Sequence, residues 1–287
     1  MWNFARSWIK IKSLFFINPE KRRLYRQRQY KARTERLLAS ARWGVSYSVF
    51  DGEELLESSI KAIRGEVDYI NIIYQLKSWY GQPADAGLLP LVRSLKDRGL
   101  VDEIIEFEPD LSLKAPENER RKRQTGLAAA AAAGCNYYMA MDCDEFYVAA
   151  EIAGAKREII TRELSHSYCV IVMYGPNPTQ LIQRPYTLFV PFFARINQRS
   201  RLGGAEKAPC LVDASRNVDG GPGARRRVIG QAVMHHMWLV RRNPSHKFLN
   251  SSAFNHMTPA ERTAVFTDDF FDEKRYLPVK NIFNIKV

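Results

Sequence analysis

No apolar run in the chain reaches the roughly 18 residues that a membrane-crossing helix needs. The N-terminus shows no long apolar segment followed by a small-residue cleavage site, so no signal peptide is expected. Cysteine is scarce. Cys135, Cys143, Cys169 and Cys210 are scattered without a Cys-x-x-Cys pair, which argues against a structural zinc site and points to reduced thiols in a cytosolic protein. A Gly-x-Gly-x-x-Gly fingerprint is missing, which counts against a dinucleotide-binding domain. Acids are almost absent from one stretch: residues 1–42 hold twelve Lys/Arg against two Glu. That arm carries nearly all of the net charge of +12 and leaves about +2 for the rest. A nearly neutral body argues against a nucleic-acid-binding surface on the main domain, and no nucleic-acid partner is expected.

What is present suffices for one large domain or two small ones: 287 residues, 46% hydrophobic, with fifteen Phe, thirteen Tyr and five Trp. Three segments follow from composition. Residues 1–42 form a basic N-terminal arm, 43–258 a body whose halves meet near residue 150, and 259–287 a mixed tail without recognisable chemistry. In the arm, Trp2, Phe4, Trp8, Ile9, Ile11, Leu14, Phe15, Phe16 and Ile17 alternate with Arg6, Lys10 and Lys12. That pattern suits an amphipathic helix lying in an anionic membrane interface. Pro19 interrupts it, and Lys21 to Arg36 continue as a basic helical stretch. An arm packed on its own domain or on a partner chain is the alternative.

The body alternates strands and helices. Expected strands are Val45–Phe50, Val67–Ile73, Ile104–Phe107, Tyr137–Met141, Tyr168–Met173 and Val233–Val240. Expected helices are Glu53–Arg64 capped by Asp51, Leu88–Arg98, Asn118–Ala133 and Glu151–Leu164. Residues 184–230, rich in Gly, Arg and Pro, read as short strands and an irregular loop. This alternation implies an α/β fold: a Rossmann-type mixed sheet, mostly parallel and flanked by helices, with ligands beyond the carboxyl ends of the strands.

At one such end stands Asp142-Cys143-Asp144-Glu145-Phe146. On an extended backbone Asp142 and Asp144 point together and Cys143 away. Two adjacent carboxylates repel, and a divalent cation resolves that repulsion. All-oxygen ligands suit Mg²⁺ or Mn²⁺ better than zinc. The small alanines of the Asn118–Ala133 helix let it approach the sheet closely and aim Arg120, Arg123 and Gln124 at the same edge.

The first strand followed by Asp-Gly-Glu-Glu, an Arg- and Ala-rich helix, and a strand running into Asp-Cys-Asp-Glu-Phe together resemble the GT-A glycosyltransferase fold, over roughly residues 43–256. Within that fold the segment resembles family-2-like sugar transferases whose motif reads Asp-x-Asp-Glu-Phe. The resemblance implies a donor-binding half (43–150) and an acceptor half (151–258). It implies transfer of a sugar from a nucleotide-diphosphate sugar to a glycan or lipid-linked acceptor, with Mn²⁺ or Mg²⁺, as in surface-polysaccharide or lipopolysaccharide assembly. Tyr47, Ser48, Phe50, Tyr74 and Gln75 then line the base and ribose. Asp142 contacts the ribose or a metal-bound water, and Asp144 binds the metal. His236 is the third ligand, with His235 in reserve, and one of Arg241, Arg242 and Lys247 neutralises the leaving diphosphate. A Gln-x-x-Arg-Trp motif is not recognisable. For an inverting reaction Glu206, Asp213 and Asp219 are the candidate bases, and a retaining mechanism is the alternative. The rivals are a two-metal nuclease or phosphoesterase on Asp142, Asp144 and Glu145, and a membrane-tethered adaptor without catalysis. The expected location is the cytoplasm, peripheral to the inner face of a membrane through residues 1–36.

Overall fold

The computed structural model describes residues 18–183, 187–203, 214–219, 223–250, 252, 256–258, 261 and 276–286. The amphipathic segment read over residues 2–17 lies outside them. The first described element is helix α1 (Pro19–Ser40). Pro19 sits in its first turn, and the Asn18 side chain accepts from the Glu20 and Lys21 amides at 2.9 and 3.2 Å. A proline and an Asn cap at this position start a helix as effectively as they end one.

There follow β1 (Trp43–Val49), α2 (Glu53–Ile63), β2 (Tyr69–Tyr74), α3 (Leu88–Asp97), β3 (Glu103–Glu106), α4 (Ala115–Ala132) and β4 (Tyr137–Asp142). The second half contains β5 (Glu145–Phe146), α5 (Ala149–Arg162), β6 (His166–Met173), β7 (Gln180–Ile182), β8 (Leu188–Arg195), β9 (Arg226–His236), α6 (Ser245–Asn250) and β10 (Tyr276–Pro278). Eight strands form one sheet in the order β3-β2-β1-β4-β8-β6-β9-β5. Strands β1 to β4 pair in parallel, as do β6 and β9, while β8 runs against β4 and β6 and β5 against β9. The mostly parallel mixed sheet is thus present. From β1 the order runs one way to β2 and β3 and the other way to β4, so a crevice opens beyond Val49 and Asp142.

Helix α4 covers one face of the sheet through Leu127, Ala130 and Ala131. Helices α2, α3 and α5 cover the other through Leu56, Ile60, Val92, Leu95, Ile152 and Ile159. The close approach of α4 is set at Gly126, where an added Cβ would collide with the Ser46 hydroxyl.

Several elements differ from expectation. Asp51 does not cap α2. Gly52 does, at φ +72°, and Asp51 turns instead to Arg241 and Asn250 at 3.0 and 3.3 Å. Helix α4 begins a turn early at Ala115, because the Asn118 amide exchanges hydrogen bonds with the Asp110 backbone at 2.9 and 2.8 Å and locks the preceding loop. Strand β9 runs over Arg226–His236, not Val233–Val240. Its first residues come from the stretch read as irregular, and it stops where the Met237 amide leaves the ladder to donate to the Asp144 carbonyl at 2.7 Å. The tail joins the body: β10 pairs with β7, and Ile285 is buried with Leu55, Phe146, Tyr174 and Met237.

Candidate metal and diphosphate site

Strand β4 ends at Asp142, and the turn Cys143–Asp144 leads into β5. Extended-strand alternation therefore stops at Asp142, and each acid goes its own way. Asp142 is held by Arg216 at 2.7 Å and Arg123 at 3.2 Å. Asp144 is fully buried; its Oδ2 accepts from Lys247 at 2.8 Å and from Arg241. The Cys143 thiol points to the Asp51 carbonyl at 2.9 Å. Glu145, also fully buried, pairs with Arg216 at 2.6 Å and accepts from the Asp142 amide at 2.9 Å.

Antiparallel pairing of β5 with β9 sets Glu145 opposite His236 and Phe146 opposite His235. His235 is taken by the Tyr174 hydroxyl at 2.9 Å and packs on Phe283, and burial lowers its pKa to about 4. His236 faces Asp144, its Nε2 at 3.5 Å from Oδ1. Asp144, Glu145 and His236 thus bring ligand atoms within 4.8 Å of one another. Asp144 Oδ1 and both His236 ring nitrogens are buried without a hydrogen bond among the described residues. Buried polar atoms left in that state are rare and costly. Two carboxylates and an imidazole are a donor set that Mn²⁺ or Mg²⁺ accepts, so the residues fit a divalent cation. The set differs from the expected Asp142, Asp144 and His236. Glu145 takes the third place because the turn after β4 sends it to β9, while Asp142 stays with the arginines of α4 and the 214–216 turn.

The electrostatics follow the cations. Burial raises the Asp144 pKa, but Lys247, Arg241 and His236 outweigh it and hold the carboxyl well below its usual range. Asp142 is lowered by Arg123 and Arg216 against the same burial term. Glu145 goes the other way: burial raises it more than Arg216 lowers it. Lys247 is raised, Asp144 overcoming its desolvation.

Beside the acids lies a small cavity of about 100 Å³, lined among others by Ser48, Phe50, Trp79, Lys122, Asp142 and Lys247. A recess of about 470 Å³ shares Phe50, Asp51, Arg241 and Asn250 with it and continues past Gln82, Asp85 and Arg242. Of the expected donor contacts, Ser48, Phe50, Asp142 and Lys247 therefore meet at one cleft. Tyr47 is a correction: it is fully buried with its hydroxyl on Ser59 at 2.9 Å, a core residue beneath the cleft. Gln75 is likewise buried, its amide donating to the Lys77 carbonyl at 2.8 Å, and Tyr74 bonds Glu106 at 3.2 Å. Arg123 reaches Asp142, but Arg120 and Gln124 line a different cleft with Arg121, Arg201 and Leu202. Asp219 is a second correction. Its amide bonds the Arg201 carbonyl at 2.7 Å, and its charge acts on His166 at the start of β6, the sheet edge opposite Asp142. Glu206 and Asp213 lie outside the described residues.

Three groups escaped the sequence reading. Arg216 stands in an arginine-rich loop with no spacing to distinguish it. Lys122 hides between Arg121 and Arg123, yet only it is buried at Val49, donating to that carbonyl at 2.8 Å with Trp79 5.6 Å away. Burial lowers its pKa to about 7. Glu119 joins the cleft through Arg123 at 2.7 Å.

No protein-family model and no curated protein sequence matches the chain. Among solved structures it is similar to glucosyl-3-phosphoglycerate synthase from Mycobacterium tuberculosis, crystallised with Mn²⁺, uridine diphosphate and phosphoglyceric acid. There the identity is 14%, coverage 87% of this chain and 91% of that one, and the TM-score 0.43. It is also similar to S. aureus TarS 1–349, at 13% identity, 81% and 70% coverage and a TM-score of 0.38. A crystal of that TarS fragment with UDP-GlcNAc gives 12% identity, 81% and 72% coverage and a TM-score of 0.36. Overlaps this loose carry no argument about chemistry, which rests on the site alone.

Proposed function

We propose that the chain is a metal-dependent glycosyltransferase that moves a sugar from a nucleotide-diphosphate sugar to an acceptor hydroxyl. The observation that carries the reading is the buried cluster of Asp144, Glu145 and His236 at the carboxyl edge of a mostly parallel sheet, beside a cleft lined by Lys122, Arg241 and Lys247. Acids gathered for a cation, and cations gathered for an anion, meet at one point.

Asp144, Glu145 and His236, with Asp142 adjoining, would hold Mn²⁺ or Mg²⁺. A divalent cation there supplies positive charge to the diphosphate as it departs. The chain's own residues do the rest. Lys247 and Arg241, fixed by Asp144, present ammonium and guanidinium groups to the same diphosphate without reorganisation. Trp79 and Phe50 offer flat apolar surface for the base, and Ser48 a hydroxyl for the ribose. Arg216 and Arg123 keep Asp142 ionised and fixed in place. An inverting transfer needs a carboxylate beside the acceptor hydroxyl. Glu206 and Asp213 remain the candidates. A glycan acceptor of the kind assembled into surface polysaccharide fits this reading.

The test is a thermal-shift panel of nucleotides and nucleotide sugars with and without Mn²⁺, followed by an assay for nucleoside diphosphate release. Stabilisation by a nucleotide sugar only when metal is present is the expected result, since a ligand that binds only the folded state raises its stability by mass action. No response to any nucleotide sugar, or metal-dependent phosphodiester cleavage in its place, overturns the reading.

A further inference from the structure

The arm and the body share a basic surface far from the cleft. Helix α1 lies over α5, tied by Arg33 to Glu163 at 3.0 Å and Glu35 to Arg157 at 2.6 Å, with Leu37 and Leu38 against the core. No residue of α1 is buried. Lys21, Arg28 and Lys31 recur at helical spacing on one face with Arg36 beside them, and these four and Arg23 are exposed without a carboxylate partner among the described residues.

The body extends this charge. Glu163 is also held by Arg225 at 3.1 Å, which brings the start of β9 beside α1. Between α5 and β9 lies an open groove of about 830 Å³ lined by Arg157, Arg162 and Arg227 together with Glu158. Glu158 pairs with Arg162 at 2.8 Å, and Glu35 pairs with Arg157, so Arg227 supplies the groove's net positive charge. Its place in the sheet is set by strand direction. Strand β6 runs parallel to β9, and both oppose β8, which opposes β4. The start of β9 therefore lies at the edge opposite Asp142 and His236.

We infer that this edge docks on an anionic phospholipid surface, with α1 lying along the headgroups and the cleft directed away from the bilayer. Two observations select lipid over other polyanions. Among the described residues the charge is spread over a helix face and an open groove and not gathered into a slot that would clasp a duplex. The chain leading into α1 supplies Trp2, Phe4, Trp8, Phe15 and Phe16 among Arg6, Lys10 and Lys12, residues that favour the water–hydrocarbon interface. No helix of the described residues is long and apolar enough to cross a membrane. Basic residues near an anionic leaflet act additively, and salt screens them. The inference stands whether or not the proposed reaction is correct.

The test is flotation of the full chain with phosphatidylcholine vesicles, alone or with about 30 mol% phosphatidylglycerol, at low salt and at about 0.5 M salt. Binding is expected only to the anionic vesicles, weakening with salt. Lys21→Gln, Arg28→Gln and Lys31→Gln together should lower the partition coefficient by about a hundredfold. Because these side chains are exposed, the thermal midpoint and the nucleotide response should stay as in the parent. Equal binding to neutral vesicles, a triple variant that binds like the parent, or tighter binding to a short DNA duplex than to anionic vesicles at the same salt overturns the inference.

Discussion

Asp144 shows how much one buried carboxylate carries. Its Oδ2 neutralises Arg241 and Lys247, while its Oδ1 faces His236 without a hydrogen bond. Asp144→Ala should therefore lower stability by about 3 kcal/mol, because it leaves Lys247 without its carboxylate and Arg241 with Asp51 alone, and should abolish the Mn²⁺-dependent thermal shift. Glu145→Gln separates these effects. It keeps the shape and most of the stability but should weaken Mn²⁺ binding in a titration. Asp144 also fixes an acid limit. Its folded pKa lies well below the unfolded value of about 4, so its contribution is present above pH 4 and is lost as pH falls through the folded value. Lys122 behaves oppositely. Its folded pKa of about 7 lies below the unfolded value of about 10.4, so the unfolded chain binds the extra proton between those limits and stability rises with pH across them. Lys122→Met should stabilise the fold by about 1–3 kcal/mol below pH 7 and flatten that rise. The Val49 carbonyl keeps the Gln75 amide at 3.2 Å. Chemical denaturation at pH 6 and pH 9 checks the sign, and the same variant should lose donor binding.

Among the elements, α4 decides how far the sheet and its cleft can relax. Gly126 lets it rest on Ser46, so Gly126→Ala should cost about 1–3 kcal/mol by overpacking, read from a denaturant midpoint. The short turn carrying Arg216 acts as a strap between the acids of β4 and β5. Arg216→Leu leaves Glu145 buried without its cation and should destabilise the chain by about 3–5 kcal/mol near neutral pH. The loss should shrink towards acid, since a protonated Glu145 no longer needs the guanidinium. An equal loss at pH 5 and pH 8 contradicts this account. Much of the element pattern was legible in advance. The strands from Tyr69 and Tyr137 and the helices from Glu53 and Leu88 are local consequences of apolar runs and glycine stops, and they stand within a few residues of expectation. The errors fell where a distant partner intervened: Asp51 gave up its cap for Arg241, and β9 starts early because the first residues of β6 pair with Arg226–Val228.

At the scale of the whole molecule, the two edges of the sheet carry different groups. One gathers Asp142, Asp144, Glu145 and His236; the other gathers the arginines of α5, β9 and α1. Vesicle-bound protein should therefore still show the Mn²⁺-dependent response to nucleotide sugar, because docking leaves the cleft open. Loss of that response on anionic vesicles but not on neutral ones would show the cleft to lie against the membrane.

From the amino-acid order alone came the α/β alternation, the acids at the end of a strand and the uneven charge of the arm, because periodicity, helix ends and composition act between near neighbours. Only the tertiary structure decided that Glu145 joins Asp144 and His236, that Arg216 and Arg241 reach back 74 and 97 residues to Asp142 and Asp144, and that Tyr47 belongs to the core. Those pairings depend on strand order and on the desolvation of charges brought together across the sheet, which no local spacing encodes.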